Sequence, residues 1–329
     1  MNLIISFQSK GYEPFFDFIK AYAIVCVLVG HTFPNISQYG YFFWAGMQVP
    51  LFVLAQSFHV LKKPTPTINF KKLATRILIP FILVTSFYLA FRALKGGLSW
   101  DLLAQGMTDG GYGPGCYFPW IYIQMAVILY FARFLLDKGD IRIQCAIAIL
   151  VCELFEIFSS YLGLSDKLYR LLAVRYFFLV FLAWSWVKYG IVINIWTVCL
   201  SLLSLASIVY FHYLSTNDEP FFFHTSWTCH RWPCYFYLST LFCAFLYFIY
   251  KRTAHNMVVN RIVTLLSTCS YEIFLIQMIF ILMCPQISFF PSNGMNLYFR
   301  IAVIWLVSIL GGYIFHRIYS KTIGLLNIK

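Results

Sequence analysis

Three ionisable side chains interrupt an apolar run in FFDFIKAYAIVCVLVGHTFPN, residues 15 to 35: Asp17, Lys20 and His31. Charge inside a lipid-crossing helix is costly, and it ordinarily faces the interior of a bundle or a wet cavity. Lys20 and His31 are 11 residues apart. At about 100° per residue this is three turns plus about 20°, which puts both on one helix face. Asp17, three residues before Lys20, shares that side. The stripe rises about 16 Å from Lys20 to His31 and can line a path from the cytoplasmic edge toward the outer half. A neutral imidazole in a confined site is the commonest general base near pH 7. A plainer reading stands beside it: Lys20 and Asp17 snorkel or pair at the interface, and His31 bonds a loop.

Those side chains need a scaffold, and the composition indicates which kind. Of 329 residues, 61% are hydrophobic, 20% aromatic and only 11% charged, against about 25% charged in an ordinary soluble domain. Too few polar residues remain to cover a water-facing surface. The reading is an all-α polytopic membrane helix bundle, one domain over residues 1–329. A bilayer core of about 30 Å takes about 20 mostly apolar residues per helix. By that rule ten segments qualify, near 16–34, 41–61, 77–94, 117–136, 143–162, 170–187, 191–213, 235–250, 262–284 and 297–317. MNLIISF has no basic n-region and no small-residue cleavage site follows it, so the first apolar stretch is expected to stay as a transmembrane helix.

The net charge of +12 lies mainly in short connections, where Lys and Arg orient a membrane protein. No basic run is interleaved with polar residues as a nucleic-acid surface would require, so no nucleic-acid partner is expected. With a cytoplasmic N-terminus, fifteen Lys and Arg fall inside and six outside, which places both termini in the cytoplasm. Two long outside loops, 95–116 and 214–234, are rich in glycine or aromatics and can fold over a site. DGGYGPG has no strand before it and no Lys-Ser/Thr after it, as a phosphate cradle needs. Its glycines read as tight turns. The sequon Asn35-Ile36-Ser37 hugs a helix end and reads as chance.

Further ionisable groups fall in apolar segments: Glu153 and Glu156, which share a face, Arg175, and Glu272. A proton or cation path and a structural pairing with Arg175 are both open to them. The connection KKPTPTINFKKLATR, residues 62–76, holds five basic residues. Topology asks for some of these, and a basic mouth also suits the phosphates of a nucleotide-like ligand. Seven of ten cysteines lie in apolar segments and behave as small hydrophobes. Cys229 and Cys234, in CHRWPC, are close enough to bridge or to remain thiols. His230 stands between them, but no second ligand cluster supports a metal, and no bound cofactor is expected.

Taken in order, these segments resemble the acyltransferase-3 family, integral-membrane O-acyltransferases that modify bacterial surface glycans. The family's first helix carries a basic residue, ten intervening residues and a His, matched here by Lys20-x10-His31. Many members have Arg at the first place, so Lys20 keeps the charge without the bidentate fork. MQVPLFVLAQSFH (47–59), FKKLATRILIP (70–80, with Arg76 as the matching arginine), GPGCYFPWIYIQ (113–124), LYRLLAVRYFFLVFLAW (168–184) and SYEIFLIQ (270–277) are similar to later family segments. Many members have His where this chain has Gln277. The likeness runs from about residue 14 to 320.

The resemblance implies acetyl-CoA as a cytoplasmic acyl donor, its phosphates at Lys71, Lys72 and Arg76 and its pantetheine arm passing Lys20. It implies His31 as general base on a sugar hydroxyl, Lys20 stabilising charge or orienting the donor, Asp17 paired with Lys20, and Glu272 orienting a hydroxyl. The expected partners are membrane lipids and a carbohydrate acceptor, a surface polysaccharide or its lipid-linked precursor. Trp120, Trp227 and Trp232 suit sugar faces and membrane interfaces equally. The expected location is the cell membrane, a bacterial inner membrane. The main rival is a transporter or flippase of a glycan or small solute; an inactive scaffold is a third reading.

Overall fold

The computed structural model describes residues 3–7, 11–33, 40–64, 67–216, 224, 230–286 and 297–325. Cys229, Trp227 and the sequon at Asn35 lie outside them, as does most of the 214–234 loop. The chain opens with a short strand, β1 (Leu3–Ile5), followed by α1 (Pro14–Thr32). Pro14 starts the helix where a missing N–H is harmless, and Asp17 sits in the first turn, where negative charge suits the helix dipole. Nineteen residues reach about 28 Å, close to the bilayer core.

The expected span 41–61 is broken into α2 (Tyr41–Trp44) and α3 (Gln48–Leu61). Pro50 has no N–H to give the Gly46 carbonyl four residues back, and His230, from a distant loop, bonds that carbonyl instead. Next comes α4 (Phe70–Leu94), capped by Asn69, whose side chain accepts from the Lys72 N–H at 2.8 Å. Its second turn, Ala74–Leu78, is a π-helical turn. Pro80 likewise cannot donate to the Arg76 carbonyl, and the wider turn forms there.

Then follow α5 (Trp100–Thr108), α6 (Phe118–Leu136), α7 (Ile141–Tyr161), α8 (Asp166–Leu171) and α9 (Phe177–Tyr189). The strand β2 (Ile191–Ile193) pairs antiparallel with β1, Leu3 opposite Ile193. The remaining helices are α10 (Ile195–Thr216), α11 (Trp232–Thr253), α12 (Met257–Thr268), α13 (Ser270–Met283) and α14 (Leu297–Leu325). The expected span 262–284 is in fact α12 and α13, bent by 67° at Cys269. Six described helices are long and apolar enough to cross a membrane, or seven if that bent pair is one span.

The core lies where α3 is held between α1 and α9. Phe16 stacks on Phe58 with ring centroids 4.2 Å apart, and Phe7 and Trp186 close around them. This aromatic packing fixes the lower half of α1, which carries Lys20. A second apolar cluster, with Ile24, Leu28, Phe81, Ile273 and Phe274, joins the upper half of α1 to α4 and α13. It sets the position of His31.

Candidate active site

His31 occupies the last turn of α1, and four other elements converge on it. Beside it, Gly30 leaves room for the Tyr41 ring: a Cβ there would run into the Tyr41 hydroxyl oxygen. That hydroxyl accepts from Gln48 Nε2 at 3.0 Å, so the start of α3 holds it in place. On another side, Gly115 of the GPG turn adopts φ +85°, and its missing Cβ would meet Phe274 at 2.6 Å and His31 Cε1 at 3.7 Å. Only glycine fits both that backbone and that approach. Trp305 Nε1 of α14 donates at 3.0 Å to Thr32 Oγ1, the residue after His31.

From α13, the fully buried Gln277 turns its amide toward the His31 ring, close enough to interact. Even so, His31 Nδ1 and both polar atoms of the Gln277 amide are buried and complete no hydrogen bond among the described residues. A Gln277 carbonyl accepting from Nδ1–H is the pairing open to these two side chains. That would fix the tautomer and leave Nε2 with its lone pair. A neutral amide can orient an imidazole in this way but cannot exchange a proton with it.

At the other end of α1, Lys20 Nζ lies 2.7 Å from Asp17 Oδ1. His59 on α3, with its ring 5.0 Å from Phe16, feels the charges of Lys20 and Asp17 together with those of Lys62 and Lys63. The sequence offered His59 only as the end of MQVPLFVLAQSFH, since its proximity to Lys20 depends on how α1 and α3 pack. Between Lys20 and His31 the shared face carries Ile24 and Val27, 0% and 5% exposed. The stripe is therefore polar at both ends and apolar in the middle.

Lys71, Lys72 and Arg76 are exposed at the start of α4, and Arg76 lies in its π-helical turn. Lys72 is near enough to Arg76 and Lys63 to feel their charges, so three cations gather there. Tyr319 and Tyr271 tie this turn to α14 and α13 by donating to the carbonyls of Thr75 and Ile77. Glu272 is elsewhere: its Oε1 bonds His316 Nδ1 of α14 at 2.8 Å. Five residues separate it from Gln277, about 140° around the helix, so Glu272 does not face His31.

Glu153 and Glu156 are taken up in structure. Glu153 accepts from Trp232 Nε1 at 2.6 Å. Glu156 accepts from the Tyr169 hydroxyl at 2.6 Å and lies 3.9 Å from Arg231. Arg175 is fully buried between the rings of Tyr169 and Tyr176, 4.9 and 4.7 Å from their centroids. Nothing in the local sequence around residue 231 signals this association. Among the described residues, no three His, Cys, Asp or Glu side chains gather as a metal site would require.

The family model for an acyltransferase domain matches residues 13–317, which takes in α1, both ends of its polar stripe and the α4 mouth. The chain belongs to the acyltransferase-3 family. No curated protein and no solved structure matches it. As an acyltransferase-3 protein with several apolar helices, it is a multi-pass membrane acyltransferase. Lys20 and His31 thus stand on one unbroken helix, with Gln277 on α13.

Proposed function

We propose that this acyltransferase moves an acetyl group from cytoplasmic acetyl-CoA to a hydroxyl of a surface polysaccharide or its lipid-linked precursor. In this reading the chain spans a bacterial inner membrane ten times, with both termini in the cytoplasm. The reading rests on one observation above others: His31 stands at one end of α1 with Gln277 behind it, while Lys20 and Asp17 pair at the other. Lys71, Lys72 and Arg76 take the donor's phosphates by charge-assisted bonds. The pantetheine arm extends from there toward His31.

His31 removes the proton from the acceptor hydroxyl as its oxygen attacks the thioester carbonyl. An alcohol is a poor nucleophile without such a base. The tetrahedral adduct collapses, the C–S bond breaks, and the departing thiolate takes the proton back from the imidazolium. The products are the O-acetyl ester and free CoA. Lys20, about 16 Å along the helix from His31, is too far to touch the same carbonyl and acts as a positioning residue at the donor end, with Asp17 holding it. Glu272 acts on His316 rather than on the acceptor.

Purified protein given labelled acetyl-CoA and a glycan extract should yield labelled ester that mild alkali removes. Solute flux across proteoliposomes with no acetyl transfer would instead make the protein a transporter.

A further inference from the structure

A groove of about 1130 Å³ runs between α12 and α14, on the end of α14 that Tyr319 ties to the α4 turn. Three permanent cations line it, Arg261, Arg317 and Lys321, with the imidazoles of His255 and His316. Among the described residues, no carboxylate lines it. The nearest acid identified, Glu272, is engaged by His316 at 2.8 Å. All three cations are exposed, and Arg317 also lies over the Tyr313 ring at 5.9 Å. Beside them the walls turn apolar, with Leu265 and Ile318. The flanking surface carries Ile262, Ile314 and Ile318, each more than half exposed. In a membrane protein such side chains face hydrocarbon.

A small soluble anion would use the cations and gain nothing from the walls. An apolar chain alone would leave three desolvated charges unanswered. We propose that this groove binds an anionic phospholipid, its phosphate held by Arg261, Arg317 and Lys321 and an acyl chain laid along Leu265 and Ile318. Lipid phosphates and juxtamembrane Lys and Arg attract one another within a Debye length of the surface, and guanidinium groups match phosphate geometry. Lys71, Lys72 and Arg76 are not among its lining residues, and a competition with acetyl-CoA tells a lipid site here from the donor site.

The test measures lipid retained by the purified full-length protein, by native mass spectrometry across a titration. The probes are dioleoyl phosphatidylglycerol and dioleoyl phosphatidylcholine. Phosphatidylglycerol is expected to bind and phosphatidylcholine not. Arg261→Ala with Arg317→Ala should weaken phosphatidylglycerol binding roughly thirtyfold, the effect of two basic residues near an anionic surface. Arg261→Lys with Arg317→Lys should restore most of it. Equal binding of the two lipids, or an unchanged alanine variant, would overturn the proposal. So would displacement of the lipid by millimolar inorganic phosphate, which would mark a soluble-anion site, or by acetyl-CoA, which would move the donor here.

Discussion

Gln277, fully buried on α13, faces the ring of His31 at the last turn of α1. The pair joins a group that can take a proton to one that can only orient it. Replacing Gln277 by Leu keeps the volume and removes the orienting carbonyl. The expected result is a kcat roughly tenfold lower, the worth of one hydrogen bond, with KM for acetyl-CoA unchanged. A change confined to KM would place Gln277 in donor binding instead.

Gly115→Ala tests the turn that presses on His31. Its φ of +85° costs a side chain about 1–2 kcal/mol, and the added methyl meets the Phe274 ring at 2.6 Å. Gly163 has φ +59° and nothing within 4 Å of its absent Cβ. Gly163→Ala therefore bears the conformational cost alone. Thermal unfolding should show the larger loss at Gly115, accompanied by lost acyl transfer, and equal losses would mean that the turn is not tightly held.

The basic mouth makes a kinetic prediction. Lys72→Ala and Arg76→Ala should each raise KM for acetyl-CoA by about tenfold, as loss of a charge-assisted bond implies, with kcat little altered. Added salt should weaken the wild type more than the variants, since exposed charges are screened. KM values that do not move would relocate the donor phosphates.

Two buried groups bear on stability. Glu156→Leu takes a carboxylate from the fully buried Arg231 and should cost about 3 kcal/mol or more, whereas Tyr169→Phe removes one hydrogen bond and should cost about 1 kcal/mol. Denaturant or thermal unfolding of the two variants gives the comparison.

His230 adds a pH dependence. Burial, reinforced by the charge of Arg175, pulls its pKa down to about 3 from an ordinary 6.5. The folded form then binds its proton far later than the unfolded form. Stability is unaffected by His230 above pH 6.5 and falls as the pH drops from 6.5 toward 3, by up to about 1.4 kcal/mol per pH unit. His230→Gln should flatten that part of the stability profile, and an unchanged profile would show that His230 stays exposed to protons in the fold.

What the sequence disclosed about the site was largely what one helix can carry. Lys20, His31 and Asp17 lie on α1, so a fixed angular step per residue was enough to put them on one face. Glu272 shows the limit. Its angle around α13 was readable, but whether that face meets α1 or α14 depends on packing between segments far apart in sequence. The bend at Cys269 left no mark either, since Thr268-Cys269-Ser270 contains neither proline nor glycine and the apolar run continues through it. The break after α2 did carry a signal, Gly46 and Pro50, which a count of apolar residues overlooks. The surroundings of His59, His230 and Arg231 were not legible for one shared reason: each gains its neighbours from a different element.

If His31 is the base for acyl transfer, its removal must stop the reaction and spare the fold. The measurement is transfer of labelled acetyl from acetyl-CoA to a glycan extract by purified His31→Ala protein, with unfolding temperature and acetyl-CoA binding followed in parallel. The account expects transfer to fall by at least about a hundredfold, the usual contribution of a general base, with folding and donor binding retained. A folded His31→Ala protein that transfers acetyl at the wild-type rate would contradict it.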